Sequence, residues 1–197
     1  MSIKCATFNG VATIEIARPE QKNALTVEMY QAMADAIDAA GEDTAVRALL
    51  ITGQPGIFTS GNDLQDFLNR PRPHIDASPV FRFMRALIAC DKPVVAAVTG
   101  AAIGIGTTML LHCDFVYVSD EARLAMPFVS LGLVPEFASS LLVPEGLSAD
   151  AWGRLTGIER FVLRMMDMET AGAAKLDNYQ NFAKAFRVTD YSRVMGD

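Results

Sequence analysis

Tryptophan occurs once, histidine twice and cysteine three times in 197 residues. Cys5, Cys90 and Cys113 lie far apart, with no C-x-x-C pair and no spacing that suits a metal. They are expected as reduced, buried thiols. Trp152 is expected to pack rather than to stack on a ligand. Basic residues are outnumbered, 17 Lys and Arg against 23 Asp and Glu, giving a net charge of −6 and a pI near 4.9. That argues against nucleic acid as the main partner, because phosphate binding needs clustered Lys and Arg. It leaves room for a small anionic ligand held by a few local positive charges. No apolar run reaches the roughly 18 residues of a membrane helix. No basic stretch followed by an apolar run marks a signal peptide. Met195-Gly196-Asp197 is neither a peroxisomal nor an ER address. A soluble, cytoplasmic protein is the expectation. Walker loop, HExxH and GxSxG are all missing, as are internal repeats and low-complexity tracts. Gly104-Ile105-Gly106 contains a G-x-G, yet the dinucleotide fingerprint is incomplete and no acidic residue follows on a second strand.

What is present is a large apolar fraction, 51% of residues, enough to bury a core in one domain of ordinary size. Residues 3–8 and 11–17 flank Asn9-Gly10, which supplies the positive φ angles of a type I′ turn, so a β-hairpin is predicted. Thr26 is the predicted N-cap of a helix over 27–40, with Val27, Tyr30, Ala34, Ile37 and Ala40 at helical spacing and Gly41 as its stop. Residues 45–52 read as a strand, followed by a turn at Gly53–Gly56. The polar, Pro-rich stretch 69–79 reads as a mobile loop. A helix is predicted over 79–90 with Phe81, Met84, Leu87 and Ile88 inward, then a buried strand over 94–98. Gly100, Gly104 and Gly106 surround a turn that opens a helix to about His112. Extended pieces follow at 114–120 and 124–128. The alternation predicts an α/β domain of repeated strand–helix units. After Pro144 the pattern turns helical, with segments at 148–155, 158–168 and about 170–186.

Three stretches can carry chemistry. Ser60-Gly61-Asn62-Asp63 and Ile103-Gly104-Ile105-Gly106 are glycine-containing turns able to aim backbone donors, the Asn62 and Ile105 N–H groups, at one oxygen. A helix start after Gly104 would add partial positive charge. Spacing alone favours reading both as ordinary turns. Glu136 follows Pro135 among Leu131, Leu133, Val134 and Phe137. A carboxylate in such surroundings has a raised pKa and can serve as a base near neutral pH, although a surface turn is the alternative. His112 reads as a satisfied core histidine and His74 as solvated. Asp63 and Asp114 read as turn or cap residues.

Four strings in order resemble the enoyl-CoA hydratase/isomerase (crotonase) family: 18–25, RPEQKNAL; 58–64, FTSGNDL; 93–120, beginning PVVAAVTGAAIGIG; and 124–140, LAMPFVSLGLVPEFASS. The resemblance runs from about residue 3 to 144. It implies an α/β, crotonase-like spiral of ββα units over 1–144 that binds an acyl-CoA thioester, with a divergent, shortened helical segment over 145–197. It also implies that the thioester oxygen accepts from the Asn62 and Ile105 N–H groups. Lys22, Ala24 and Leu25, together with Ser60, Gly61, Asp63, Leu64 and Gly104, are then the substrate-contact candidates. The family usually carries Gly where Ile105 stands, and isomerase members tolerate a larger residue. Hydratases of the family use two glutamates, whose places here hold Thr108 and Phe128. Glu136 stands where Δ3,Δ2-enoyl-CoA isomerases carry their single acid/base. The resemblance therefore implies a 3-enoyl-CoA isomerase of fatty acid metabolism. It needs no cofactor beyond the coenzyme A of its substrate, and the family expectation is a homotrimer or hexamer. Other enolate reactions on the same scaffold, and a non-catalytic acyl-CoA binder, are the alternatives.

Overall fold

The computed structural model describes residues 2–69, 74–128, 131–140 and 142. The helical segments expected after Pro144, with Trp152, and residues 70–73 of the expected loop lie outside the described residues. β1 (Ile3–Phe8) and β2 (Val11–Ile16) form the predicted hairpin, closed by Phe8 opposite Val11 with both turn residues at positive φ. α1 (Val27–Glu42) starts where Thr26 accepts from the Met29 N–H. It runs past Gly41, which exposes no reason to stop because Asp43 closes the last turn through Ala39 O.

β3 (Ala48–Thr52), β4 (Ile57–Thr59), β5 (Val94–Val98), β6 (Ala101–Ile103), β7 (Phe115–Val118) and β8 (Arg123–Ala125) follow. They alternate between two sheets, ordered β1-β2-β3-β5-β7 and β4-β6-β8. Apart from the opening hairpin, all neighbours in both sheets are parallel. Each circuit of the chain thus lays one strand on the larger sheet and one on the smaller, then crosses back. That is the ββα spiral. Helices α2 (Leu64–Leu68), α3 (Pro79–Ala89) and α4 (Ile105–Thr108) fill the crossovers, and α4 continues as a tighter turn over Met109–His112.

Apolar residues at alternate positions of β2, β3 and β5 meet the inner stripes of α1 and α3 in one core. Tyr30, Met33, Ile37, Leu49, Ile51, Phe83 and Leu87 sit in it with almost no solvent contact. Each such side chain contributes roughly 1.5–3 kcal/mol of burial. The α3 stripe is rotated from the predicted one. Val80, Phe83, Met84 and Leu87 face in, whereas Phe81 and Ile88 are exposed. The i, i+3, i+4 set that includes Phe83 is the one that docks on α1. Cys113 is buried, but Cys5 is exposed, contrary to expectation, because it lies on edge strand β1, where only Ile3 turns inward. Among the described residues, no helix is long and apolar enough to cross a membrane.

Candidate active site

The carboxyl ends of the smaller sheet's three parallel strands lead into the three stretches of interest. Asn62 comes three residues after β4, Ile105 two after β6, and Glu136 lies in the segment leaving β8. Ligands of α/β sheets gather at such strand ends because loops there are free to vary while the sheet fixes their roots.

Leu25 pairs in parallel with Asn62, donating to Gly61 O at 2.8 Å and accepting from the Asp63 N–H at 2.9 Å. Peptide groups alternate sides along an extended chain, so the Asn62 N–H faces away from Leu25. Among the described residues it meets no acceptor. The Ile105 N–H is likewise open, as the first residue of α4, while Gly104 O takes the Thr107 and Thr108 N–H groups. The two turns approach closely. Gly61 has φ +91°, and a Cβ built on it would stand 2.9 Å from Ile103 O. A Cβ on Gly106 would stand 2.4 Å from Thr59 Cγ2. Both glycines are required by that approach.

The first loop is bolted to the same turn. Asn23 is fully buried; its Nδ2 donates to Ile16 O and Phe58 O, both at 3.0 Å, and its Oδ1 accepts from the Arg18 N–H at 2.7 Å. Arg18 Nη1 reaches Asp63 Oδ2 at 2.7 Å and Ala24 O at 2.9 Å. Asp63 caps α2 through the Gln65 and Asp66 N–H groups. The hydrogen bond from Arg18 is the main reason its carboxyl is held below the usual carboxylate range. Asp63 is thus the cap residue expected, whereas Asp114 accepts from the Val94 N–H at 2.8 Å and ties the approach to β7 to the start of β5. Lys22 and Leu64 are exposed, and Ala24 and Ser60 are partly so. Leu25 is wholly buried with both backbone groups engaged, so it holds the loop to the turn rather than offering a free contact.

Glu136 is partly buried, and burial pushes its carboxyl from the ordinary 4.5 up to about 7. The next two residues, Phe137 and Ala138, take left-handed φ of 56° and 53°, a conformation that costs non-glycine residues roughly 1–2 kcal/mol each. His112 supports that bend. Its ring stacks on Phe137 at 3.8 Å, and its Nε2–H donates to Phe137 O at 2.8 Å. His112 is thus satisfied, as its apolar setting suggested, and it braces the segment that carries Glu136. Thr108 and Phe128 are buried, and Thr108 Oγ1 only approaches Ile105 O, at 3.5 Å. Among the described residues, no three His, Cys, Asp or Glu side chains gather to hold a metal ion.

Tyr30 was legible only as a helix-face residue. It is fully buried, and its hydroxyl donates to Asn62 Oδ1. Burial pushes its phenol well above the ordinary value, and the Glu136 charge adds to this. Two backbone donors open at neighbouring strand ends, with one carboxyl poised near neutrality in the same region, can stabilise an oxyanion and move a proton.

Residues 6–151 match the family model described as Enoyl-CoA hydratase/isomerase. The chain is 36% identical over 146 residues to Enoyl-CoA delta isomerase 2 of Homo sapiens, covering 71% of this chain and 37% of that protein. It is 34% identical over 140 residues to Enoyl-CoA hydratase ACTT3 of Alternaria alternata, covering 69% of this chain and 47% of that one. The chain therefore spans between about a third and a half of the length of these curated relatives. Among solved structures, Pseudomonas aeruginosa OdaA matches with a TM-score of 0.74 at 44% identity, covering 98% of this chain and 84% of that chain. With the spiral, the paired turns and the match over most of the described residues in agreement, the chain belongs to the enoyl-CoA hydratase/isomerase, or crotonase, family.

Proposed function

We propose that the protein is an acyl-CoA isomerase that moves the double bond of a 3-enoyl-CoA to the 2-position. The observation that carries this reading is the Glu136 carboxyl, held near neutrality in the segment leaving β8, with two open backbone donors at the ends of β4 and β6; by the family resemblance, Thr108 and Phe128 stand in the places of the two hydratase glutamates. The thioester oxygen accepts from the Asn62 and Ile105 N–H groups. The Glu136 carboxylate takes the proton from C2, and the C–H electron pair becomes the C1–C2 π bond of an enolate whose charge rests on that oxygen. The charge then returns to carbon. A C2–C3 double bond forms, the former C3–C4 π pair takes a proton at C4, and Glu136 is the donor. No water is consumed, so one carboxyl suffices.

Burial suits this cycle. A group with a pKa of about 7 exists in both forms at neutral pH, so it can take and return a proton without a large energetic penalty in either direction. Lys22, Ala24, Ser60, Gly61, Asp63 and Leu64 border the first donor turn and are the contacts we assign to the coenzyme and acyl portions. Exposed Leu64 lies two residues from Asn62, and exposed Val134 two from Glu136, which gives an acyl chain apolar surface beside both. Support also comes from relatives named isomerases, among them the human protein above and 1,2-epoxyphenylacetyl-CoA isomerase of Escherichia coli, at 36% identity.

The name of the Alternaria relative makes hydration the competing reading, and the assay must separate the two. Purified protein is given a 3-enoyl-CoA and, separately, a 2-enoyl-CoA, with the conjugated thioester followed by absorbance. Appearance of conjugation from the first without its loss from the second is the expected result. Hydration of the 2-enoyl-CoA without isomerisation would overturn the proposal.

A further inference from the structure

We propose that Tyr30 is a positioning residue: its hydroxyl clamps the Asn62 side chain and so completes, together with Leu25, the hold on the Asn62 N–H in the oxyanion hole. This rests on the enolate reading above. The geometry is specific. The Tyr30 hydroxyl, the tip of a fully buried side chain on α1, donates to Asn62 Oδ1 across 32 residues of sequence. Asn62 itself is only partly buried, and its own N–H carries no partner among the described residues. Leu25 holds Gly61 O and the Asp63 N–H, one group on each side of Asn62, so what it leaves free is the Asn62 side chain and the Cα that carries it. Tyr30 holds that side chain.

The clamp is held from behind. The Tyr30 ring packs on Phe83 at 5.6 Å and edge-on to Phe67 at 6.5 Å. Phe83 in turn meets Phe137 at 6.3 Å, beside Glu136. Asp66 Oδ2 also accepts from the Val27 N–H at 2.8 Å, one turn before Tyr30, which ties α1 to the helix that follows Asn62. The oxyanion turn and the segment bearing the base therefore lean on one aromatic row. A backbone donor stabilises developing charge only when its direction is set before the reaction, so a hydroxyl that never touches substrate can change the rate.

The test uses the full chain with Tyr30→Phe, which keeps the ring and its packing, Asn62→Ala, which keeps the backbone N–H, and the double variant. Isomerisation of a 3-enoyl-CoA is measured together with the absorption of bound 4-dimethylaminocinnamoyl-CoA, whose band moves to the red when its thioester carbonyl is polarised. Tyr30→Phe is expected to lower kcat by roughly tenfold, as one lost buried hydrogen bond implies, with little change in KM. It should also shrink the red shift. Asn62→Ala should match it, and the double variant should be no worse than either, because both remove one interaction. An undiminished red shift and kcat in Tyr30→Phe, with only a lower Tm, would overturn the inference while leaving the isomerase reading intact. Additive losses in the double variant, or a displaced midpoint of the pH–rate profile with an unchanged red shift, would show that Tyr30 acts elsewhere, and would overturn it too. A wild-type protein that binds the chromophore without any red shift would overturn the oxyanion reading and the inference with it.

Discussion

Replacing Glu136 with glutamine should stabilise the protein at alkaline pH while leaving its stability unchanged in acid. Burial raises the Glu136 carboxyl from its ordinary 4.5 to about 7. Between those values the folded state keeps a proton that the unfolded chain releases, so stability falls as pH rises. The favourable contribution is fully present below 4.5 and is lost as pH passes through about 7. At about 1.4 kcal/mol per pKa unit the full loss is about 3.5 kcal/mol, and the partial solvent contact of Glu136 trims it to about 2–3 kcal/mol. Glutamine mimics the protonated acid in shape and never ionises. Asp63, held low chiefly by its hydrogen bond from Arg18, gives the opposite dependence in strong acid, but it is common to both proteins and cancels in the comparison. Thermal unfolding followed by circular dichroism at about pH 4 and about pH 8.5 reads the difference. The two proteins should coincide at the lower pH. At the higher, the Gln variant should melt roughly 4–12 °C above wild type, at 2–4 °C per kcal/mol for a chain of this size. A Tm difference that does not change with pH, or a variant less stable throughout, would refute the burial argument.

Gly61→Ala should damage the oxyanion turn, since its Cβ meets Ile103 O at 2.9 Å and φ is +91°. Losing one donor of this kind typically lowers kcat by about 100–1,000-fold, so a steady-state assay showing near-normal kcat would contradict the placement of the Asn62 N–H. His112→Leu removes the donor to Phe137 O and the ring stacked at 3.8 Å. A loss of about 1–3 kcal/mol in urea unfolding is expected, with a fall in kcat as the Glu136 segment loosens, and unchanged values of both would deny His112 its bracing role. The rate should rise with pH through about 7 as Glu136 ionises, and a flat pH–rate profile between about pH 5.5 and 8.5 would argue against it as the base.

The elements readable in the sequence are those whose local chemistry decides them. Asn9-Gly10 sets the hairpin, and Thr26 starts α1 through one cap. The smaller sheet was less legible. β4, β6 and β8 have three residues each, too few to show a period of two, and their pairing joins segments far apart in sequence. The inner face of α3 was misplaced because Phe81 and Ile88 are as apolar as Phe83, and only docking on α1 chooses among them. The helix over 27–42 passes Gly41 because a single glycine costs only about 1 kcal/mol in a helix. In the candidate site, Asn62, Ile105 and Glu136 are marked by the ordered motifs that resemble the family's. Tyr30 and His112 were not assigned to it, since their partners lie 32 and 25 residues away and a buried tyrosine or histidine looks like core.

The most direct test of the account is proton exchange at C2. A 3-enoyl-CoA and a saturated acyl-CoA are incubated with the protein in D2O, and deuterium at C2 is followed by NMR for wild type and Glu136→Gln. The account predicts exchange with wild type and a loss of about 100–10,000-fold in the variant, the usual span for removing a general base. Equal exchange in the two proteins would contradict it, because some group other than Glu136 would then be making the enolate.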